Sequence, residues 1–126
     1  MSRLLLDTNV VVWLLLGDRE AVSEPARNAL EDEGNVLTVS AASVWEIAIK
    51  RSLGKLEIED RWPAALAGLD LTPMPVTALH AQHAERLPWH HRDPFDRLLI
   101  AQATVEDHAL VTADAQIRAY DIPVVW

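Results

Sequence analysis

The chain has 126 residues, 50% of them hydrophobic and 24% charged, which is the composition of one globular domain able to bury a core and excludes a disordered segment. It has no cysteine, so disulfides, thiolate zinc sites and cysteine nucleophiles are excluded, and its formal net charge of −8 argues against a protein that coats nucleic acid through basic surface. A nuclease stays open, because a site made of carboxylates is acidic by construction and a bound cation reverses its local field.

In chain order, Arg3–Leu6 reads as a short buried strand, and Val10–Leu16 as an apolar helix stopped by Gly17. That apolar stretch falls far short of the roughly 18 residues of a membrane span and follows an aspartate, not a basic region. A soluble, cytoplasmic protein is the expectation. Ser23 is placed to cap a helix over Pro25–Glu33, with Gly34 as terminator. Val36–Val39 is strand-like, and Ser40 caps a helix from Ala41 to about Leu53, closed by Gly54. Trp62–Ala67 is a short helix, and Pro73-Met74-Pro75 a connector near a short strand. Thr77–Arg86 reads as a helix ended before Pro88, and Asp93 caps another from Pro94 to about Glu106. Ala109–Thr112 and Ile122–Val125 read as strands flanking a short helix at Ala115–Ala119.

Strands alternating with helices predict an α/β sandwich, a mostly parallel central sheet flanked by helices, as a single domain over 1–126. In such sheets sites form beyond the carboxyl ends of the strands. Asp7 and Asp114 lie at two such ends, and Glu46 and Asp96 lie on helices able to lean over the same edge. Each acid also has a plainer reading. Asp7 and Asp114 can cap the elements that follow them, Glu46 can pair with Lys50 four residues on, and Asp93 already explains the start of the helix carrying Asp96. Taken together, four acids set in apolar sequence are costly unless something compensates them, and like-charge repulsion in a shared site asks for a divalent cation. Hard oxygen ligands suit Mg²⁺ or Mn²⁺, which lower the pKa of bound water and neutralise charge on a phosphoryl group. Asp7 and Asp96 are assigned as direct ligands, with Glu46 and Asp114 completing the site directly or through water; one or two ions are both compatible.

Lys50, Arg51 and Lys55 follow Glu46, and Arg92 and Arg97 flank Asp96; these are the candidate phosphate contacts. His80, His83, His90 and His91 raise a zinc reading, but no cysteine and no His-Glu-x-x-His arrangement supports it, and no histidine–acid pair is evident. Trp13, Trp45, Trp62, Trp89 and Trp126 read as core or interface residues before base-stacking platforms.

The segments Leu5-Leu6-Asp7-Thr8-Asn9, Ser43-x-x-Glu46, Asp93-Pro-Phe-Asp96-Arg-Leu-Leu-Ile-Ala-Gln-Ala103 and Leu110-Val-Thr112-x-Asp114 resemble the PIN-domain nucleases, and more closely the VapC-type toxins of type II toxin–antitoxin pairs. The resemblance spans nearly the whole chain in order. It places Asp7, Glu46, Asp96 and Asp114 on the family's four acidic positions, and Thr8, Asn9, Ser43 and Thr112 on the polar positions that support them. It implies a PIN fold, Mg²⁺- or Mn²⁺-dependent endoribonuclease activity, an RNA substrate, a homodimer, and a small antitoxin. That antitoxin is expected to cover the early helices around Trp13 and Trp45 and to aim an arginine at Asp7, Glu46 and Asp96. A non-catalytic PIN-fold binding module is the alternative from another class, marked by loss of an acid, and all four are present. An aspartate-based phosphotransferase of the haloacid-dehalogenase kind needs a second aspartate where Asn9 stands, and a Toprim nuclease needs an Asp-x-Asp pair that the chain lacks.

Overall fold

Leu4, Leu5 and Leu6 are all fully buried, because successive residues of a strand point to opposite faces and both faces here are covered. The computed structural model describes residues 1–126, and these leucines lie in its central strand, β1 (Arg3–Leu6). The other strands are β2 (Val36–Ser40), β3 (Thr72–Met74), β4 (Ala109–Val111) and β5 (Val124–Val125). They form one sheet in the order β3-β2-β1-β4-β5, and every pairing is parallel, with Leu4 beside Leu37 and Leu5 beside Leu110. The six helices are α1 (Thr8–Leu16), α2 (Glu24–Glu31), α3 (Ala41–Ser52), α4 (Trp62–Ala67), α5 (Ala78–Glu85) and α6 (Pro94–Val105). No helix is long and apolar enough to cross a membrane.

The alternation of β1 divides the core in two. Leu4 and Leu6 pack with Val10, Val11, Ala26, Val39, Ile47, Trp62 and Val111, against α1 to α4. Leu5 packs with Leu99, Ile100, Ala103, Leu110, Ile117 and Tyr120, against α6 and the chain after β4. Most element ends follow local chemistry. Gly17 ends α1 in the left-handed region at φ 70°, Ser23 and Ser40 cap α2 and α3, and Asp93 Oδ1 accepts the backbone N–H groups of Phe95 and Asp96 to start α6.

Four boundaries differ from the sequence expectation. α1 starts at Thr8 rather than Val10, because the chain turns into helix directly after Asp7. α2 ends at Glu31, short of Gly34, where Asp32 Oδ1 accepts the Gly34 N–H and turns the chain. The helix expected at Ala115–Ala119 is a single 3₁₀ turn, Ile117–Ala119, and the last strand contracts to Val124–Val125.

In sequence, β2 and β3 extend the sheet to one side of β1, while β4 and β5 lie on the other. The crevice beyond the carboxyl ends of β1 and β4 is therefore the switch point of the topology, where open parallel sheets place their sites.

Candidate metal centre

Asp7 leaves β1 at that crevice. It stands at the N-cap position of α1, yet its side chain makes no cap bond. The carboxylate is buried, and its Oδ2 accepts a 2.7 Å hydrogen bond from Thr112 Oγ1, across from the neighbouring strand. Thr112 Oγ1 in turn accepts the Asp114 N–H at 3.0 Å, so one hydroxyl links the two strand-end acids. Burial pushes the Asp7 carboxyl above its usual range, against the Thr112 and Thr8 hydrogen bonds, with Glu46 and Asp114 adding repulsion.

Glu46 arrives from α3, where it is 6% exposed. Lys50 Nζ sits 3.0 Å from Glu46 Oε2, the helix-surface pair expected from the spacing, and Glu46 raises the lysine pKa above its usual value. That pair does not exhaust the carboxylate: Glu46 Oε1 is buried with no hydrogen-bond partner. Ser43, one turn earlier and fully buried, accepts from Thr8 Oγ1 at 2.9 Å and ties α3 to the start of α1. Asn9 is exposed and points to no acid.

Asp96 lies in the first turn of α6, where the positive end of the helix favours an anion. Its carboxyl is nevertheless pushed up to about 7 by burial, then by the charges of Asp7 and Asp93, with Glu46 adding to the rise and His91 opposing it. Trp45 and Phe95, each one residue before its acid, meet edge to face with centroids 5.4 Å apart and hold α3 against α6. Asp114 closes the group, though its Oδ1 accepts the Gln116 N–H at 2.8 Å, the capping role that its position allowed. Asp7 is repelled by Glu46 and Asp114, and Asp96 by Asp7 and Glu46, while His91, Asp96 and Asp114 bring their ligand atoms within 4.8 Å of one another.

One member was not legible in the sequence. His91 Nε2 lies 2.8 Å from Asp96 Oδ2 and 2.9 Å from Asp114 Oδ2, so the pair thought absent is present. His91 sits in the loop before α6, outside any periodic segment, and its place two residues ahead of the Asp93 cap was the one available signal. The other histidines lie apart from this cluster. His80, buried in α5, bonds Glu106 at 2.8 Å and completes a capping box with Thr77.

The basic residues divide. Arg97, expected among the phosphate contacts, is buried and turned inward. Its guanidinium donates to the carbonyls of Ala84, Leu87, Pro88 and His91, and lies 3.7 Å over the Trp89 ring. Arg51 is engaged by Asp60 and the Ile58 carbonyl, and Lys50 by Glu46, while Lys55 and Arg92 are exposed. Arg97→Ala should cost about 3 kcal/mol or more, since each buried acceptor left without a donor costs about 1–3 kcal/mol. Arg97→Lys should recover little of it, because one ammonium cannot replace a planar fork. Urea midpoints measure both, and a midpoint unchanged in Arg97→Ala would return Arg97 to the list of surface contacts.

The buried and unpartnered Glu46 Oε1, together with four carboxylates whose only basic partners are Lys50 and His91, fits a divalent cation with oxygen ligands. A family model described as the PIN domain matches residues 4–123. No curated protein matches the sequence. Among solved structures, the chain is similar to VapBC2 from Rickettsia felis bound to a DNA fragment from their promoter, at 14% identity and a TM-score of 0.72, covering 97% of this chain and 96% of that one. VapBC-1 from nontypeable Haemophilus influenzae matches at 16% identity and a TM-score of 0.70, with 97% and 96% covered. A toxin–antitoxin complex from Klebsiella pneumoniae matches at 23% identity and a TM-score of 0.67, with 97% and 95% covered.

Proposed function

Since the chain belongs to the PIN-domain family, we propose that it is a metal-dependent endoribonuclease serving as the toxin of a type II toxin–antitoxin pair. What supports the activity is that Thr112 links Asp7 to Asp114, His91 links Asp114 to Asp96, and Glu46 Oε1 is left bare. Asp7 and Asp96 would hold a Mg²⁺ or Mn²⁺ ion, and Glu46 and Asp114 would complete its surroundings. When bound, such an ion supplies charge neutralisation at the phosphoryl group and a water of lowered pKa.

The chain's own groups do the rest. Thr112 fixes Asp7 by the 2.7 Å bond, and the Thr8–Ser43 bond sets α1 against α3. Lys50 holds Glu46 Oε2, which leaves Oε1, with no donor of its own, to face the ion directly or through a water. Exposed Lys55 and Arg92 meet the RNA backbone. RNA incubated with the protein and Mn²⁺ should be cut internally, and chelation should stop it. Protein freed of contaminating nucleases that leaves RNA intact at millimolar Mn²⁺ would remove the enzymatic reading.

The toxin role draws on the complexes that the chain resembles and on an apolar groove of about 920 Å³ along α3 and α4, lined by Val44, Trp45, Ala48, Leu66 and Leu71. Trp45 stands 63% exposed at this groove, whereas Trp13 packs on Trp126 with centroids 5.8 Å apart. The antitoxin segment therefore docks around Trp45, with Trp13 serving the core, and carries an arginine toward the acids. The free toxin is a cytoplasmic homodimer in this reading. Co-expression with the adjacent small reading frame should give a co-purifying, inactive complex, and Trp45→Ala should weaken it by about 2 kcal/mol or more, roughly thirtyfold in Kd. Failure of any neighbouring product to bind would end the toxin assignment and leave the nuclease intact.

A further inference from the structure

His91 touches two of the four acids, yet the chemistry above gives it no task. Its ring is oriented from both sides. Nδ1 lies 3.2 Å from the backbone nitrogen of Asp93, which can only donate, so Nδ1 is the acceptor and the ring proton sits on Nε2. That Nε2–H faces Asp96 Oδ2 at 2.8 Å and Asp114 Oδ2 at 2.9 Å. The backbone is held as firmly. The His91 N–H donates to Tyr120 Oη at 3.0 Å, its carbonyl accepts from Arg97 at 3.3 Å, and Tyr120 Oη donates to the Pro88 carbonyl at 2.6 Å. The residue is 9% exposed, and Tyr120 and Arg97 are buried beside it.

A ring held in this way has no free lone pair at Nε2 for a cation. Binding one there would require the proton to move to Nδ1, at the cost of the bond from Asp93. We propose that His91 is a positioning residue whose Nε2–H ties Asp96 Oδ2 to Asp114 Oδ2, holding a helix carboxylate and a loop carboxylate within 4.8 Å of each other as ligands for a divalent ion. The inference rests on the reading of this site as a Mg²⁺ or Mn²⁺ centre. It also gives the inward-turned Arg97 a purpose in the site: with Tyr120 it fixes the loop that presents the imidazole. Without the shared donor, two like charges face each other and separate, and the cation finds ligands that must be drawn together. Partners of this kind contribute about 10–100-fold to metal affinity.

The test is isothermal titration of Mn²⁺ into wild-type protein, His91→Leu and His91→Gln, with pulsed EPR of the Mn²⁺-loaded wild type. Leucine removes the donor at similar volume, and glutamine restores an N–H near the place of Nε2. Wild type should bind, His91→Leu should bind about 10–100-fold more weakly, and His91→Gln should return close to wild type. The wild-type spectrum should show no directly bound ring nitrogen, a result that stands even if His91→Leu does not fold. Equal or tighter binding by folded His91→Leu overturns the proposal, as does a bound-nitrogen coupling that disappears in His91→Gln. Absence of Mn²⁺ binding by wild type overturns the metal-centre reading itself, and the proposal with it.

Discussion

Asp7→Asn and Asp96→Asn should each lower single-turnover RNA cleavage by about 10³-fold or more while leaving the fold intact. The size follows from what a carboxylate does in such a site: cation-based charge stabilisation is worth several kcal/mol, and each 1.36 kcal/mol is about a factor of ten in rate. Asparagine keeps the volume and most of the local hydrogen bonding. Its carbonyl can still accept from Thr112 at position 7 and from the His91 Nε2–H at position 96, so the packing around β1 and α6 has no reason to change. Only the charge is lost. Asp114→Asn should be milder, about 10–100-fold, because both oxygens of Asp114 already accept hydrogen bonds, from Gln116 and His91, and it completes the surroundings of the ion around Asp7 and Asp96. Cleavage of a fluorogenic RNA at saturating Mn²⁺, alongside circular dichroism of each variant, measures the series. Wild-type turnover by either Asp7→Asn or Asp96→Asn would remove that residue from the chemistry.

What singles these acids out in the sequence is that each sits where local pattern and charge disagree. Asp7 ends a strand of three leucines, and Asp96 follows a residue that already caps its helix, so neither acid is needed for what surrounds it. The parallel sheet was legible for a related reason: runs such as Leu4–Leu6, apolar throughout, and Val36–Val39, interrupted only by Thr38, suit strands covered on both faces. What the chain did not reveal are contacts made by residues in loops. His91 reaches Asp96 and Asp114 only because the turn between α5 and α6 folds back on itself, and that turn is held by a guanidinium collecting four carbonyls. Carbonyl acceptors carry no sequence signature. Arg97 beside Asp96 therefore looked like a surface cation, although its partners lie beneath it. Asn9, matched by position to a supporting role, is exposed at the start of α1.

The second large effect concerns stability against pH without metal. The Asp96 carboxyl titrates at about 7 in the folded protein against an ordinary value of 3.8, so between roughly pH 4 and pH 7 the folded state holds a proton that the unfolded chain has released. Where the native state binds more protons, stability falls as pH rises. The Asp96 contribution is therefore most favourable below the ordinary carboxylate range, falls through neutrality, and reaches its whole penalty by pH 8. That penalty is on the order of 4 kcal/mol, which for a chain of this length lowers Tm by on the order of 10 °C. Asp7, raised by burial, changes stability in the same direction. Asp96→Asn removes the titrating group, so at pH 8 and without metal it should melt above wild type, and the difference should shrink toward pH 5. Comparing the two proteins cancels every titration they share. Mn²⁺ at millimolar concentration should then raise the wild-type Tm at pH 8, because a ligand bound only by the folded state stabilises it, and should do far less for Asp96→Asn. The variant crippled in catalysis is thus expected to be the more stable protein, and the cation is expected to reverse that order. A metal-free wild type that gains stability from pH 5 to pH 8 relative to Asp96→Asn would show that the carboxylate is already compensated by the protein, with Lys50 and His91 sufficient and no cation required.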